Sequence, residues 1–284
     1  MSEVRLAARG AFDHRAALAV LRAHRVDGLG DVDAGGAFRR LVQTDDGTHL
    51  VSARFDDRGV TIGVDTADGG VVEAIAARAR HWFDLDTDLA PINAHLRADR
   101  LLTEHVDRRP GLRLTRAAEP FEAVVQTVLG QQVTLAAGRT FGARLVAAYG
   151  VPDRRGLVRF PAPHRLAAVP VDELQRCLRI TGARARTVHG VAEYFTGRVP
   201  GAPLPSRVEL AALYGIGAWT LDYLAVRAGA DPDAFPASDA VLRRMLRGAG
   251  AGADAAADTA RWSPYRSYAA FRLWAMSGMW PGSE

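Results

Sequence analysis

The sequence predicts a mostly helical protein fronted by a small α+β domain. Strand-length apolar runs separated by Asp/Gly turns occur only before residue 88. From Ile92 onward apolar residues recur at helical spacing instead. Between the two regimes, residues 84–91 are acidic and turn-rich, which places the expected boundary between an α+β domain, 1–88, and a helical region, 89–284. A chain of 284 residues is long enough for two packed domains.

In the first domain, residues 12–25 are Ala/Leu-rich and read as a helix. Residues 37–43, 49–55 and 60–64 read as strands, joined by Asp45-Asp46-Gly47 and Asp56-Asp57-Arg58-Gly59 into antiparallel hairpins. Residues 71–83 return to helix, giving strands and helices in two layers. Nothing in this domain has a catalytic pattern. In the second region, residues 92–98 and 99–105 read as short helices, and Pro110-Gly111 breaks the chain. Pro120 opens a helix over 121–129, and Thr134 caps another that stops at Gly150-Val151-Pro152. Further helices are expected over 163–168, 171–178, 183–195, 208–213, 219–228, 237–246 and 264–279, with residues 248–257 a surface loop.

Hydrophobic residues make up 48% and charged residues 24%, which fits a soluble globular chain. No apolar run reaches membrane-span length, and the start of the chain lacks a basic segment followed by an apolar block, so a cytoplasmic, nucleoid-associated protein is expected. The single cysteine, Cys177, excludes an internal disulfide and any four-cysteine cluster; Leu174, Leu178 and Ile180 around it suggest a buried, inert thiol. All 36 basic side chains are arginine, so no lysine side chain can form a Schiff base. The net charge of +4 is uneven: residues 1–110 carry 15 Arg against 18 acids, and residues 111–284 carry 21 against 14. A basic second part suits a nucleic-acid surface, although an excess scattered over solvated faces reads the same way.

The most informative stretch is Leu213-Tyr214-Gly215-Ile216-Gly217-Ala218-Trp219-Thr220. Two glycines around one aliphatic allow a tight turn between helices. They also leave bare the first amides of the following helix, where unpaired N–H groups and the positive dipole end attract a phosphate. The pattern is that of a helix–hairpin–helix clamp on a DNA backbone; a plain glycine-rich connection is the alternative. Asp239 follows Gly217 by 22 residues, at a Pro-led helix start. It reads either as an N-cap or as a carboxylate held beside the clamp. Trp219 and Tyr223, four apart, share a helix face, and Trp262, Tyr265, Tyr268, Phe271, Trp274 and Trp280 follow. Such aromatics build a core, or a few of them face a pocket and stack on a base.

Taken together, these stretches resemble the helix–hairpin–helix DNA glycosylase superfamily, in its bacterial alkylpurine-repair branch. The resemblance is carried by Arg109-Pro110-Gly111-Leu112-Arg113-Leu114, by residues 123–133 ending Leu129-Gly130-Gln131-Gln132-Val133, by Gly215-Ile216-Gly217-Ala218-Trp219-Thr220 with Tyr223, Ala225 and Arg227, by Asp239 with its helix, and by Arg266-Ser267-Tyr268-Ala269 leading to Trp274. It implies a TATA-binding-protein-like first domain and an active-site cleft in the helical region. Asp239 falls at the family's catalytic aspartate. Trp219, Tyr223 and Trp274 fall at the base pocket, Trp219 where lyase-active relatives carry lysine. Gly215, Ile216, Gly217 and Thr220 fall in the DNA clamp. Gln132 stands where the family inserts a wedge into the gap left by a flipped nucleotide; the branch has an aliphatic residue there, so its polarity is a departure. Val20 or Leu21 stands where an aromatic can roof the pocket.

The implied activity is monofunctional hydrolysis of alkylated purines (3-methyladenine, 7-methylguanine) from double-stranded DNA by a monomer. No redox cofactor, catalytic metal or membrane is involved; a monovalent cation at the hairpin is implied by the family. The alternatives are a non-enzymatic helix–hairpin–helix DNA-binding protein and a glycosylase for other damaged purines.

Overall fold

The computed structural model describes residues 1–248 and 259–280. The expected loop at 248–257 therefore lies outside the described residues, apart from Gly248.

The first domain is one antiparallel sheet with helices on one face. Strands β1 (Ser2–Ala7), β2 (Gly30–Val32), β3 (Phe38–Thr44), β4 (Gly47–Asp56) and β5 (Gly59–Val64) lie in the order β1-β5-β4-β3-β2. Helix α1 (His14–Ala23) and helix α2 (Gly69–Trp82) are capped by Asp13 and Asp68, whose side chains accept from first-turn amides. Val60, Ile62, Val64, Val51 and Leu6 form the buried face with Val71, Ile75 and Trp82. The three strands expected from the sequence are present. Two further strands carried almost no pattern: β1 buries only Leu6, and β2 has three residues. Across the β1–β5–β4 face, Glu3 and Arg5 pair with Arg54 and Asp56, so that face is polar.

The second region begins with α3 (Leu89–Arg97) and α4 (Thr103–Arg108). Then come α5 (Pro120–Gly130), α6 (Leu135–Tyr149), α7 (Pro163–Ala167), α8 (Val171–Leu178) and α9 (Gly182–Phe195). It continues with α10 (Arg207–Ala211), α11 (Ala218–Arg227) and α12 (Ala240–Gly248), and a 3-10 turn (Ala260–Trp262) leads to α13 (Arg266–Met276). The expectation that strands vanish after residue 92 needs one correction. A two-residue ladder, β6 (Val151–Pro152) with β7 (Val158–Arg159), lies between α6 and α7. It is too short for any periodicity, and Val158 N–H donates to Gly28 O of the first domain at 2.7 Å. Cys177 also departs from expectation: it is exposed, because α8 buries Leu174 and Leu178 on its other face.

Two apolar cores build the helical region. One joins α5, α6, α8 and α9 with Ile216, Leu221 and Leu224 of the hairpin. The other joins Trp262, Phe271, Trp274 and Trp280 to Leu96, Leu242 and, from the first domain, Ala16, Ala19 and Val20 of α1. Helix α1 thus belongs to both domains: Ala17 and Leu21 face the sheet, and Val20 faces the tryptophans. Buried arginines fix this seam. Arg113 donates to the carbonyls of Ala11, Asp84 and Thr87 at 3.1, 2.7 and 2.7 Å, and Arg109 pairs with Asp13, the α1 cap, at 2.6 Å. The Arg113 guanidinium satisfies several carbonyls at once and Arg109 is paired with a carboxylate, which offsets the cost of burying their charges. These bonds tie the start of α1 to the segment that follows α4.

Candidate active site

The hairpin is built as its sequence predicts, and the two glycines have different reasons to be glycine. Ser206 and Glu209 make a capping box that starts α10. Gly215 has φ +78°, and a Cβ there would stand 2.1 Å from Thr187 Oγ1 of α9, so only glycine fits the turn against the helix behind it. Gly217 is the N-cap of α11 with extended backbone, and a Cβ there would meet nothing within 4 Å. Its openness is therefore toward solvent, in front of an uncapped helix start. Ile216, 7% exposed, pins the turn into the core. Thr220 corrects an expectation. Its side chain is 2% exposed and accepts from Gln131 Nε2 at 2.9 Å, so it faces inward and offers no hydroxyl to a phosphate.

Gln131 is a residue the sequence reading passed over. Its Nε2 donates to both Gly215 O at 3.0 Å and Thr220 Oγ1, tying the α5–α6 loop to the hairpin, and Arg184 donates to its carbonyl at 2.6 Å. The only prior signal was its place in the Gln131-Gln132 pair. Gln132 follows with φ +54° and an exposed side chain, flanked by half-exposed Val133. A non-glycine residue in the left-handed region is held there by its surroundings, here the two bonds of its neighbour.

Asp239 lies inside the molecule, 8% exposed, at the start of α12. Oδ1 accepts from the Val241 and Leu242 amides at 3.0 and 3.1 Å. It also accepts from Trp274 Nε1 at 3.2 Å, and Oδ2 accepts from Trp219 Nε1 at 3.1 Å. The N-cap reading is thus observed, and the same carboxylate also meets the aromatic cluster through two indole N–H groups. Four N–H donors and a helix N-terminus converge on one carboxylate. The loop before it is anchored to α13. Asp233 pairs with Arg266 at 2.8 Å, and Ser267 N–H donates to Pro232 O at 2.9 Å. Burial opposes ionisation of Asp233, but the bonds from Arg266 outweigh it and hold its carboxyl below the usual range.

The three predicted pocket aromatics come together. Trp219 and Tyr223 stack at 5.1 Å with an angle of 24°, and Tyr223 meets Trp274 edge-on at 5.5 Å. Their exposure differs. Trp219 and Tyr223 are half-buried, while Trp274 is 1% exposed and packs on Phe271 and Trp280. Trp274 thus orients Asp239 from within the core, and the partly exposed rings belong to α11. Arg227, one turn below Tyr223, donates to Thr115 O and lies 5.8 Å over the Phe271 ring; burial lowers its pKa. Val20, 1% exposed, is packed under the tryptophans and leaves no open surface to roof a pocket. Among the described residues no group of His, Cys, Asp and Glu side chains is arranged to hold a metal ion.

A helix–hairpin–helix beside a buried, aromatic-bound aspartate, behind a sheet domain, defines a class of DNA-repair architecture, and sequence comparison agrees with it. Residues 3–119 match the AlkA N-terminal domain, and residues 125–260 match the HhH-GPD superfamily of base excision DNA repair proteins. The chain belongs to that family. A Mycobacterium tuberculosis protein described as a probable bifunctional transcriptional activator/DNA repair enzyme AlkA is 35% identical across 99% of this chain, which spans 59% of that relative's length. DNA-3-methyladenine glycosylase 2 of Escherichia coli is 31% identical, over 75% of this chain and 83% of that protein. In fold, the chain is similar to a 3-methyladenine DNA-glycosylase from Archaeoglobus fulgidus, with a TM-score of 0.79, 19% identity and 98% of each chain covered.

Proposed function

We propose that this chain is a monofunctional DNA glycosylase that flips an alkylated purine out of double-stranded DNA and hydrolyses its N-glycosidic bond, leaving an abasic site. The observation that carries the reading is Asp239, a buried carboxylate oriented by two indole N–H groups beside a half-open aromatic stack. A non-enzymatic DNA clamp has use for Asp239 as a helix cap, but none for its second oxygen held by an indole N–H beside the stack.

The chemistry follows from the substrate class. A purine alkylated at N3 or N7 carries positive charge, so it leaves as a neutral base and needs little acid assistance. The difficulty is the cationic sugar that develops, as in glycoside hydrolysis. The Asp239 carboxylate stabilises that charge or orients the water that attacks C1′. Its indole and amide donors fix its direction beforehand, so no reorganisation is needed as the charge appears. The Trp219 and Tyr223 faces favour a cationic base by roughly 0.5–2 kcal/mol per good contact. Discrimination of that size suits a broad range of alkylated purines. The open amides at Gly217 and Ala218 hold a backbone phosphate, and Gln132, on a loop tied to the hairpin by Gln131, enters the gap left by the base. With no lysine in the chain, strand cleavage through a lysine imine has no route.

A monovalent cation fits the turn chemically. The Leu213 and Gly215 carbonyls are hard oxygen donors, each with one lone pair used by Ile216 N–H or Gln131 and one remaining. No step depends on it. We take the protein to act as a monomer, with residues 1–88 and 89–284 as its domains.

The test is base release. Duplex DNA methylated at purines is incubated with the purified chain, and the supernatant is resolved for free bases. The reading expects 3-methyladenine and 7-methylguanine together with alkali-labile abasic sites. Tight DNA binding with no free base would establish the non-enzymatic alternative.

A further inference from the structure

The start of α9 breaks a local rule. A helix N-terminus is the positive end of the dipole, so it favours acids and disfavours cations. The helices on either side obey: Asp172 and Glu173 open α8, and Glu209 opens α10. Helix α9 begins Gly182-Ala183-Arg184-Ala185-Arg186 and has no acid in its first turn. A local rule broken without local compensation is the mark of a functional segment. This segment touches both parts of the proposed DNA surface. Arg184 donates to Gln131 O in the wedge-bearing loop. Thr187 is buried against the turn, where a Cβ on Gly215 would stand 2.1 Å from its hydroxyl. Between them Arg186 is exposed and reaches Tyr214, the residue before Gly215. Its guanidinium carbon lies 5.5 Å over the Tyr214 ring, and Nη2 donates to the Tyr214 hydroxyl at 3.4 Å. Tyr214 is itself 60% exposed, so the pair stands on the outside of the turn. Among the described residues no carboxylate pairs with Arg186, whereas Arg97, Arg108 and Arg207 are paired with Asp107, Glu104 and Asp222.

We propose that Arg186 is a phosphate-binding residue of the DNA surface and that Tyr214 positions it. The guanidinium takes a backbone phosphate flanking the one held by the Gly217 and Ala218 amides. This rests on the DNA-binding part of the function proposed above. Three physical facts give it direction. A guanidinium carries five N–H donors in a planar fork, and the Tyr214 hydroxyl uses one, which leaves donors for phosphate oxygens. Stacking on the ring holds the long side chain before DNA arrives, so less rotamer freedom is lost on binding. The hairpin amides are neutral and supply geometry, while a cation without a carboxylate partner beside them supplies the charge that displaces counterions from the duplex. The two contributions are therefore separable by salt.

The experiment measures affinity for an abasic-analogue duplex across a series of salt concentrations, for wild type, Arg186→Gln, Arg186→Lys and Tyr214→Ala. Arg108→Gln is the control, because it removes the same charge from an exposed arginine that is paired with Glu104. Arg186→Gln should lower affinity about tenfold at low salt. It should also make the slope of log affinity against log salt shallower by about 0.9, the contribution of one phosphate contact. Arg186→Lys should restore the slope but only part of the affinity, because a point charge lacks the fork. Tyr214→Ala should weaken binding and keep the slope, since the charge remains. Arg108→Gln should match wild type in slope. A slope for Arg186→Gln equal to that of Arg108→Gln would overturn the proposal, as would a lysine variant no better than the glutamine one. Wild-type affinity in Tyr214→Ala would overturn the positioning role. If wild type bound no duplex, the DNA reading itself would fail; a wild type that bound duplex and released no base would overturn only the catalytic part of that reading.

Discussion

Trp274→Phe is the sharpest probe of how the carboxylate is held. The Trp274 indole is 1% exposed and donates to Asp239 Oδ1 at 3.2 Å. Phenylalanine keeps a ring in the core but deletes this donor and part of the volume. A hydrogen bond to a charged group contributes about 1.5–3 kcal/mol, and the residual cavity adds on the order of 1 kcal/mol, so a stability loss of about 2–4 kcal/mol is expected in urea titration. Asp239 keeps Trp219 Nε1 and two amides, so it stays in place but less firmly directed. Base release should fall roughly tenfold to a hundredfold, since 1.4 kcal/mol corresponds to a factor of ten. The decisive form is a cycle with Asp239→Asn. If Trp274 acts through the carboxylate, Trp274→Phe should cost less than about twofold in rate once the charge is gone. Single-turnover rates of the four proteins on one methylated duplex give the answer. Effects that multiply in the double variant would show that Trp274 acts on the substrate by itself, not through the carboxylate.

Three other substitutions separate the remaining parts. Gly217→Asp places a capping carboxylate where the structure has open space; folding stability should rise by a few tenths of a kcal/mol while duplex affinity at fixed low salt falls about tenfold or more, and unaltered affinity would remove the hairpin from the interface. Gln132→Ala should weaken binding to an abasic-site analogue more than to undamaged duplex, by an amount that varies with the opposing base, whereas Gln132→Leu should keep affinity and flatten that variation; equal losses on both duplexes would send the search for the wedge to another residue. Glu119 is half-buried at the seam between the domains, and burial, opposed by Arg40 and Arg78, raises its pKa to about 7. The folded state then holds a proton that the unfolded state releases near pH 4.5, so stability declines as pH rises from about 4.5 to 7 and levels off above. Glu119→Gln should flatten that decline in urea titrations between pH 5 and 8, and an unchanged slope would mean that Glu119 does not titrate there.

The hairpin and the carboxylate were legible in the sequence because each rests on local chemistry. Gly215-Ile216-Gly217 needs its glycines for a turn and an open helix start, and Asp239 announces itself as a helix cap. The pairing of Trp219 with Tyr223 followed from helical spacing. What was not legible depends on long-range packing. Thr220 looks like any exposed first-turn hydroxyl until Gln131 arrives from 89 residues away to occupy it. The exposure of Cys177 depends on which face of α8 meets α9, and its apolar neighbours misled because they lie on the opposite face. Strands β1 and β6–β7 escaped because an edge strand with one buried residue, or a ladder of two, has no period to read.

On the proposed function, the Asp239 carboxylate carries the reaction. Asn keeps the shape, a capping oxygen and an acceptor for one indole while removing the charge. At about 4 Å and an effective dielectric near 20, a lost charge–charge interaction is worth about 4 kcal/mol. Single-turnover release of 3-methyladenine by Asp239→Asn should therefore be at least about a thousandfold slower than by wild type. Affinity for an abasic-analogue duplex should stay within about threefold. A rate within about tenfold of wild type, in a variant that folds and binds normally, would contradict it.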